Sequence, residues 1–165
     1  MTRPSQRTFL GLSPRESEFF QRPRVGWEQA IDRFPSTIED IEEASKCYAL
    51  SRYAASVFHS MQVIEIGLIE LGAFIKVNDP KSGWTAVSNA LNAIIKKPHA
   101  AQSRFERKNF AFFEQLQGTV DGLKNAWRNK ISHAQGRLVL LSTDFNSEIA
   151  EEIFVCDTRV YSPSR

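Results

Sequence analysis

Cysteine is scarce in this chain: Cys47 and Cys156 are its only two, they stand far apart, and neither has a partner at metal-ligand spacing among His59, His99 and His133. A disulfide framework and a zinc site are thereby excluded, and both thiols read as reduced, buried, small hydrophobes. No run of about eighteen apolar residues exists, so no transmembrane helix is expected. The N-terminus, with Arg3, Arg7, Arg15, Arg22 and Arg24 broken by Pro4, Pro14 and Pro23, lacks the apolar stretch of a signal peptide. The chain reads as cytoplasmic, with no membrane partner. It has no internal repeat, no glycine-rich phosphate loop and no Walker sequence, and neither a metal nor a cofactor is expected.

Charge of one sign is also scarce. Twenty-one basic and nineteen acidic side chains leave a formal +2, too little to announce a nucleic-acid binder. Its distribution says more. Residues 96–137 hold nine basic side chains against three acidic ones, a local +6, while Glu39, Asp40, Glu42 and Glu43 form an acidic run and a second follows after Asp144. Solvated helix faces would account for this; so would a basic surface that holds a polyanion backbone.

What the chain does have is helical period. With 42% apolar residues, 165 positions suffice for one domain with a real core. Residues 1–25 show no sustained period and read as an arm, 26–157 as a helical bundle, and 158–165 as a tail. A short helix is expected from Trp27. Ser36 and Glu39 have the spacing of a capping box, and from Ile38 to about Val77 there is no proline, which predicts one long helix or two nearly collinear ones meeting around 48–53. Its second half is apolar nearly all round, as in a bundle centre or a subunit interface. Asn78–Gly83 reads as a turn. A helix follows from about Thr85 to Lys97, with Trp84, Val87 and Leu91 inward, and Pro98 stops it. A long helix is expected over Arg104–Gln135, weakened by Gly118 and Gly122 and ended by Gly136. A last helix near 144–156 would be capped by Ser142 or Thr143. Strands at Leu138–Leu141 and Ile153–Cys156 are rejected because each lacks a turn-linked partner. The expected fold is all-α, an up-and-down bundle of four to five helices.

Leu116, Val120, Leu123, Trp127, Ile131, Ala134 and Leu138 recur at steps of three and four, one buried helix face. At about 100° per residue, Arg128, Asn129, Ser132 and His133 point away from that face. Asn129 and His133 are neighbours one turn apart, whereas Arg128 lies about 140° from His133 on a straight helix and would meet it only through its long side chain or a local break in the helix. On the earlier helix His59, Gln62 and Glu65 step by threes across one arc, either as a satisfied polar network or as the lining of the same cleft.

The run Arg128-Asn129-Lys130-Ile131-Ser132-His133 resembles the Arg, polar residue and later His that mark the HEPN superfamily of helical-bundle ribonucleases. Residues Cys47–Leu68 and Phe110–His133 are similar to core helices of bacterial HEPN-like proteins, and the likeness spans roughly 37–155. Arg52 and His59 fit the same loose spacing. The chain departs from the family in having Gln62 where many relatives have arginine, and Gln135 where some toxin members have a tyrosine that a nucleotidyltransferase partner modifies. The resemblance implies a metal-independent endoribonuclease in which the ribose 2′-hydroxyl attacks the adjacent phosphate. Arg128 would hold the phosphate oxygens, His133 would move the proton, and Asn129 would orient the imidazole, with Ser132, His59, Gln62 and Glu65 in support. Lys108, Lys124, Lys130 and Arg137 would bind the RNA. The site would be composite, across a homodimer, in a toxin or defence effector with an antitoxin partner. The alternative is a catalytically silent HEPN-like RNA-binding or protein-interaction module, with Arg128 paired to Glu65 or Asp121.

Overall fold

The computed structural model describes residues 11–79, 83–125, 145–151 and 153. Its helices are α1 (Pro14–Gln21), α2 (Glu28–Arg33), α3 (Ile38–Ala49), α4 (Tyr53–Phe74), α5 (Trp84–Lys96), α6 (Arg104–Lys108) and α7 (Phe110–Leu123), with short 3-10 turns at Pro35–Thr37 and His99–Ala101. Residues 147–151 are helical as well, and every regular element among the described residues is a helix. The fold is all-α.

The chain reverses where the sequence offers neither glycine nor proline. At the end of α3 the Ser51 amide donates to the Tyr48 carbonyl at 3.0 Å and the Arg52 amide to the Cys47 carbonyl at 2.8 Å. These are the paired bonds of a Schellman motif, which requires a left-handed residue after the cap. Ser51 takes that place at φ 55°. α4 then runs back along α3, with the Ser56 hydroxyl donating to the Ala44 carbonyl at 2.9 Å. The expected near-collinear arrangement is therefore corrected: the break falls inside the 48–53 window, but the two helices form a hairpin. α4 ends with the same device, Lys76 at φ 60° and amides of Lys76 and Val77 bonded to the carbonyls of Ala73 and Gly72.

Two other local expectations change. Ser36 and Glu39 form no capping box: the Pro35–Thr37 turn places Thr37 at the α3 N-cap, and its hydroxyl donates to the Phe34 carbonyl instead. Among the described residues the boxes that form are Ser13 with Glu16 and Ser103 with Glu106. The first starts a helix inside the expected arm, and α1 docks on α3 through Phe19 against Tyr48, ring centroids 4.9 Å apart.

The core gathers Trp27 at the start of α2, Ile41, Ala44 and Tyr48 of α3, Val57, Met61, Ile64 and Leu68 of α4, Trp84, Val87 and Leu91 of α5, and Phe113, Val120 and Leu123 of α7. Phe145, Ala150 and Ile153 join it from the C-terminal side, where the Asn146 side-chain oxygen accepts the Ile149 amide. The expected caps Ser142 and Thr143 and the rejected strand at Leu138–Leu141 lie outside the described residues. α4 is long and apolar enough to cross a membrane by composition, yet its inner face carries this core. It is not buried all round: Phe58 is 49% and Phe74 52% exposed, Ile66 and Ile69 are half-buried, and Gln62 and Ala73 face solvent.

The expected Arg104–Gln135 helix is interrupted at Asn109, whose side-chain amide donates to the Phe105 carbonyl, so α6 and α7 are separate segments. Gly118 and Gly122 do not break α7. Gly118 has nothing within 4 Å of a built Cβ, so Gly118→Ala should raise stability by about 0.5–1 kcal/mol, read as a higher midpoint in urea. Ser51→Gly should stabilise by a similar ~0.5 kcal/mol or more by relieving the left-handed penalty, whereas Ser51→Val should lower the midpoint.

Candidate functional site

Arg128, Asn129, Lys130, Ser132, His133 and Arg137 lie outside the described residues; the structure places what precedes them. The buried stripe is present up to that point: Val120 and Leu123 are buried and Leu116 is half-buried, in the register read from the sequence. On the flank of this helix Asp121 accepts the Ser88 hydroxyl at 2.7 Å and the Gln117 amide. Those bonds, Ser88 first, and the charge of Lys124 hold Asp121 below the usual carboxylate range against the cost of its burial. Asp121 is thus a carboxylate already serviced by α5 and by its own helix. Lys124 is half-exposed and Lys108 exposed.

The three polar residues of α4 do not act as one network. His59 Nδ1 lies 2.8 Å from Asp40 Oδ1 on α3, and both side chains remain over a quarter exposed. Glu65, two turns on, accepts the Trp84 indole N–H of α5 at 3.1 Å. Gln62 stands between them, exposed. The arc of about 120° that separates His59 from Glu65 on the helix sends each to a different neighbour, and only Gln62 opens freely to solvent. The Asp40 contact fixes the imidazole orientation, leaving Nε2 as the nitrogen for chemistry. Arg52, at the α4 N-cap, lies on the same face two turns before His59. Glu43 follows Asp40 by one turn on α3 and pairs with Lys46, so this seam is mixed in charge.

A groove of about 720 Å³ opens between α2, α4, α5 and α7 and was not visible in the sequence. Phe34, Leu68, Leu71, Leu116 and Val120 line it together with Phe74 and Phe112, and Arg33 and Glu70 are its charged groups. The apolar residues that make it come from four separate segments, each of which read as ordinary core. Among the described residues no three His, Cys, Asp or Glu side chains converge as a metal would require.

Comparison with known proteins finds no matching protein-family model, no matching curated protein and no matching solved structure.

α6, which carries Lys108, is fastened at both ends of its first turn. Glu106 accepts the Ser103 amide and, at 3.0 Å, the Lys97 ammonium, while Ser103 caps the helix. The Ser103 amide, then Lys97 and the Ser103 hydroxyl, push Glu106 down to about 2 from an ordinary 4.5. A folded value below the unfolded one stabilises fully above the unfolded pKa and is lost as pH falls through the folded one. Thermal melts of the wild type and Glu106→Gln should therefore differ most above about pH 4.5 and converge near pH 2.

Proposed function

We propose that this protein is a metal-independent, cytoplasmic endoribonuclease of HEPN type, in which Arg128, Asn129 and His133 cleave RNA through attack by the 2′-hydroxyl. The observation that carries the reading is the sequence constellation itself: arginine, amide and imidazole that come after α7 in the sequence, with a three-and-four spacing of apolar residues that continues the stripe Leu116, Val120 and Leu123. The all-helical hairpin architecture is compatible with it. In this mechanism His133 takes the proton from the 2′-hydroxyl or returns one to the 5′-oxygen. Arg128 offsets the charge that grows on the phosphate oxygens, and Asn129 holds the imidazole or donates to phosphate. Lys124, Lys130 and Arg137 supply the counter-charge for the RNA backbone.

One imidazole supplies only an acid or a base, which makes a composite homodimer site the economical arrangement. The row Phe58, Gln62, Ile66, Ile69 and Ala73 on α4, exposed or half-buried, carries no charge and suits such an interface. An antitoxin that covers the site belongs to the same proposal.

The Asp40–His59 contact favours one rival: cleavage at the α3–α4 seam with Arg52 as the phosphate ligand. Asp40 and Glu43 beside it oppose an approaching phosphodiester, which is why the basic 124–137 stretch is preferred. Purified wild type should cut single-stranded RNA in the presence of chelator and leave 2′,3′-cyclic phosphate ends. His133→Ala should lower the rate by at least about a hundredfold, as expected for loss of a general acid or base, with His59→Ala close to wild type. Loss on His59→Ala alone would move the site to the seam, and intact RNA with dimeric wild type would leave a catalytically silent module.

A further inference from the structure

Resting on that RNA-acting reading, we propose that α6 and the aromatic rings around it form a stacking platform for single-stranded RNA, separate from the cleavage residues. Phe74, Phe105 and Phe112 are 52%, 47% and 45% exposed, an unusual cluster of large apolar surface left to water. They are held in place. Phe105 packs edge-on against Phe74 at 5.3 Å and against Phe113 at 6.0 Å, Phe112 lies 5.8 Å from Phe113, and Phe113 itself is fully buried. The buried ring anchors the exposed ones, so each presents an aromatic surface at little cost in side-chain entropy.

Charge decides what such surfaces meet. Arg104, Arg107 and Lys108 on α6 are exposed, and none is drawn into an ion pair among the described residues. Lys96 and Lys76 are exposed nearby in sequence, Lys76 two residues after Phe74. The carboxylate on α6, Glu106, is consumed by Lys97 and Ser103. Glu70 lies in the groove behind Phe74, and Glu114 is exposed beyond Phe112 on α7. Aromatic faces interleaved with unpaired cations are the means by which proteins hold single strands, the rings taking bases and the cations taking phosphates. A duplex keeps its bases stacked on each other and cannot use the rings. A second copy would set one cationic face against another, and a five-residue helix is too short to lie in a membrane surface as an amphipathic element.

The test uses full-length protein carrying His133→Ala, so that cleavage does not intrude, and fluorescein-labelled dodecauridylate read by fluorescence anisotropy. Phe105→Ala with Phe112→Ala should weaken binding about tenfold or more, and Phe105→Trp should retain or tighten it. Arg107→Glu with Lys108→Glu should weaken binding and flatten its salt dependence by about two phosphate contacts. Circular dichroism monitors folding, and should the phenylalanine pair unfold the protein, the exposed cation pair and Phe105→Trp decide the matter. Unchanged affinity in the alanine pair or the glutamate pair, loss of binding in Phe105→Trp, equal binding of duplex RNA, binding of phosphatidylglycerol vesicles in place of RNA, or a dimer that dissociates on loss of the rings would each overturn the platform. The two proposals fail separately. RNA bound through the rings but never cut by wild type removes the nuclease reading, whereas RNA cut and bound equally with and without the rings removes the platform.

Discussion

The structure depends on one backbone reversal. Ser51, in a left-handed conformation at φ 55°, lets two amides return to the last carbonyls of α3 and sends α4 back along it. A non-glycine residue in that conformation costs on the order of 1 kcal/mol, and the cost is carried by the contact that follows. Ile41, Ala44 and Tyr48 meet Val57, Met61 and Ile64 over the length of the hairpin, while Ser56 services the Ala44 carbonyl inside it. Without the reversal α4 would have no partner for its inner face.

α4 is the shared wall of everything else. One side meets α3, another meets α5 and α7, and the third remains open to solvent. Those three directions sort its polar residues: His59 to Asp40, Glu65 to Trp84, Gln62 to water. They also leave the groove between α2, α4, α5 and α7 that Phe74 and Phe112 help to line. The acidic run of α3 and the basic stretch of α6 therefore come to belong to different surfaces. Glu42 and Glu43 are occupied by Arg24 and Lys46, whereas the α6 cations are left for a partner. The second surface suits a polyanion and the first opposes one, which is the physical ground on which the proposed RNA chemistry is assigned to the α6–α7 side.

Much of this was legible in the residues. The stripe Leu116, Val120, Leu123 and the inward set Trp84, Val87, Leu91 were read correctly because helical period is a local property of the chain. The stop at Pro98, the short helix after Trp27 and the absence of strand pairing among the described residues followed from equally local rules. The box at Ser13 and Glu16 was legible too, with the same spacing as the one wrongly assigned to Ser36 and Glu39. What separated them was Pro35, whose turn moved the α3 cap to Thr37. Asn109 likewise gave no warning, since an asparagine inside a helical pattern is often tolerated, and here its side chain shares the Phe105 carbonyl with its own backbone amide.

By itself the sequence determined most of the helices, many of their inward faces and the helical class, because propensity and periodicity act over a few residues, although α1 was read as part of an arm and α6 and α7 as one helix. It also carried the arginine, amide and imidazole on which the proposed chemistry rests. Only the tertiary structure decided that α3 and α4 fold back rather than continue, that His59 answers to Asp40 and Glu65 to Trp84, and that three phenylalanines from α4, α6 and α7 share one exposed cluster. Those outcomes depend on which distant surfaces meet, and no local pattern along a chain encodes the direction taken after a single left-handed residue.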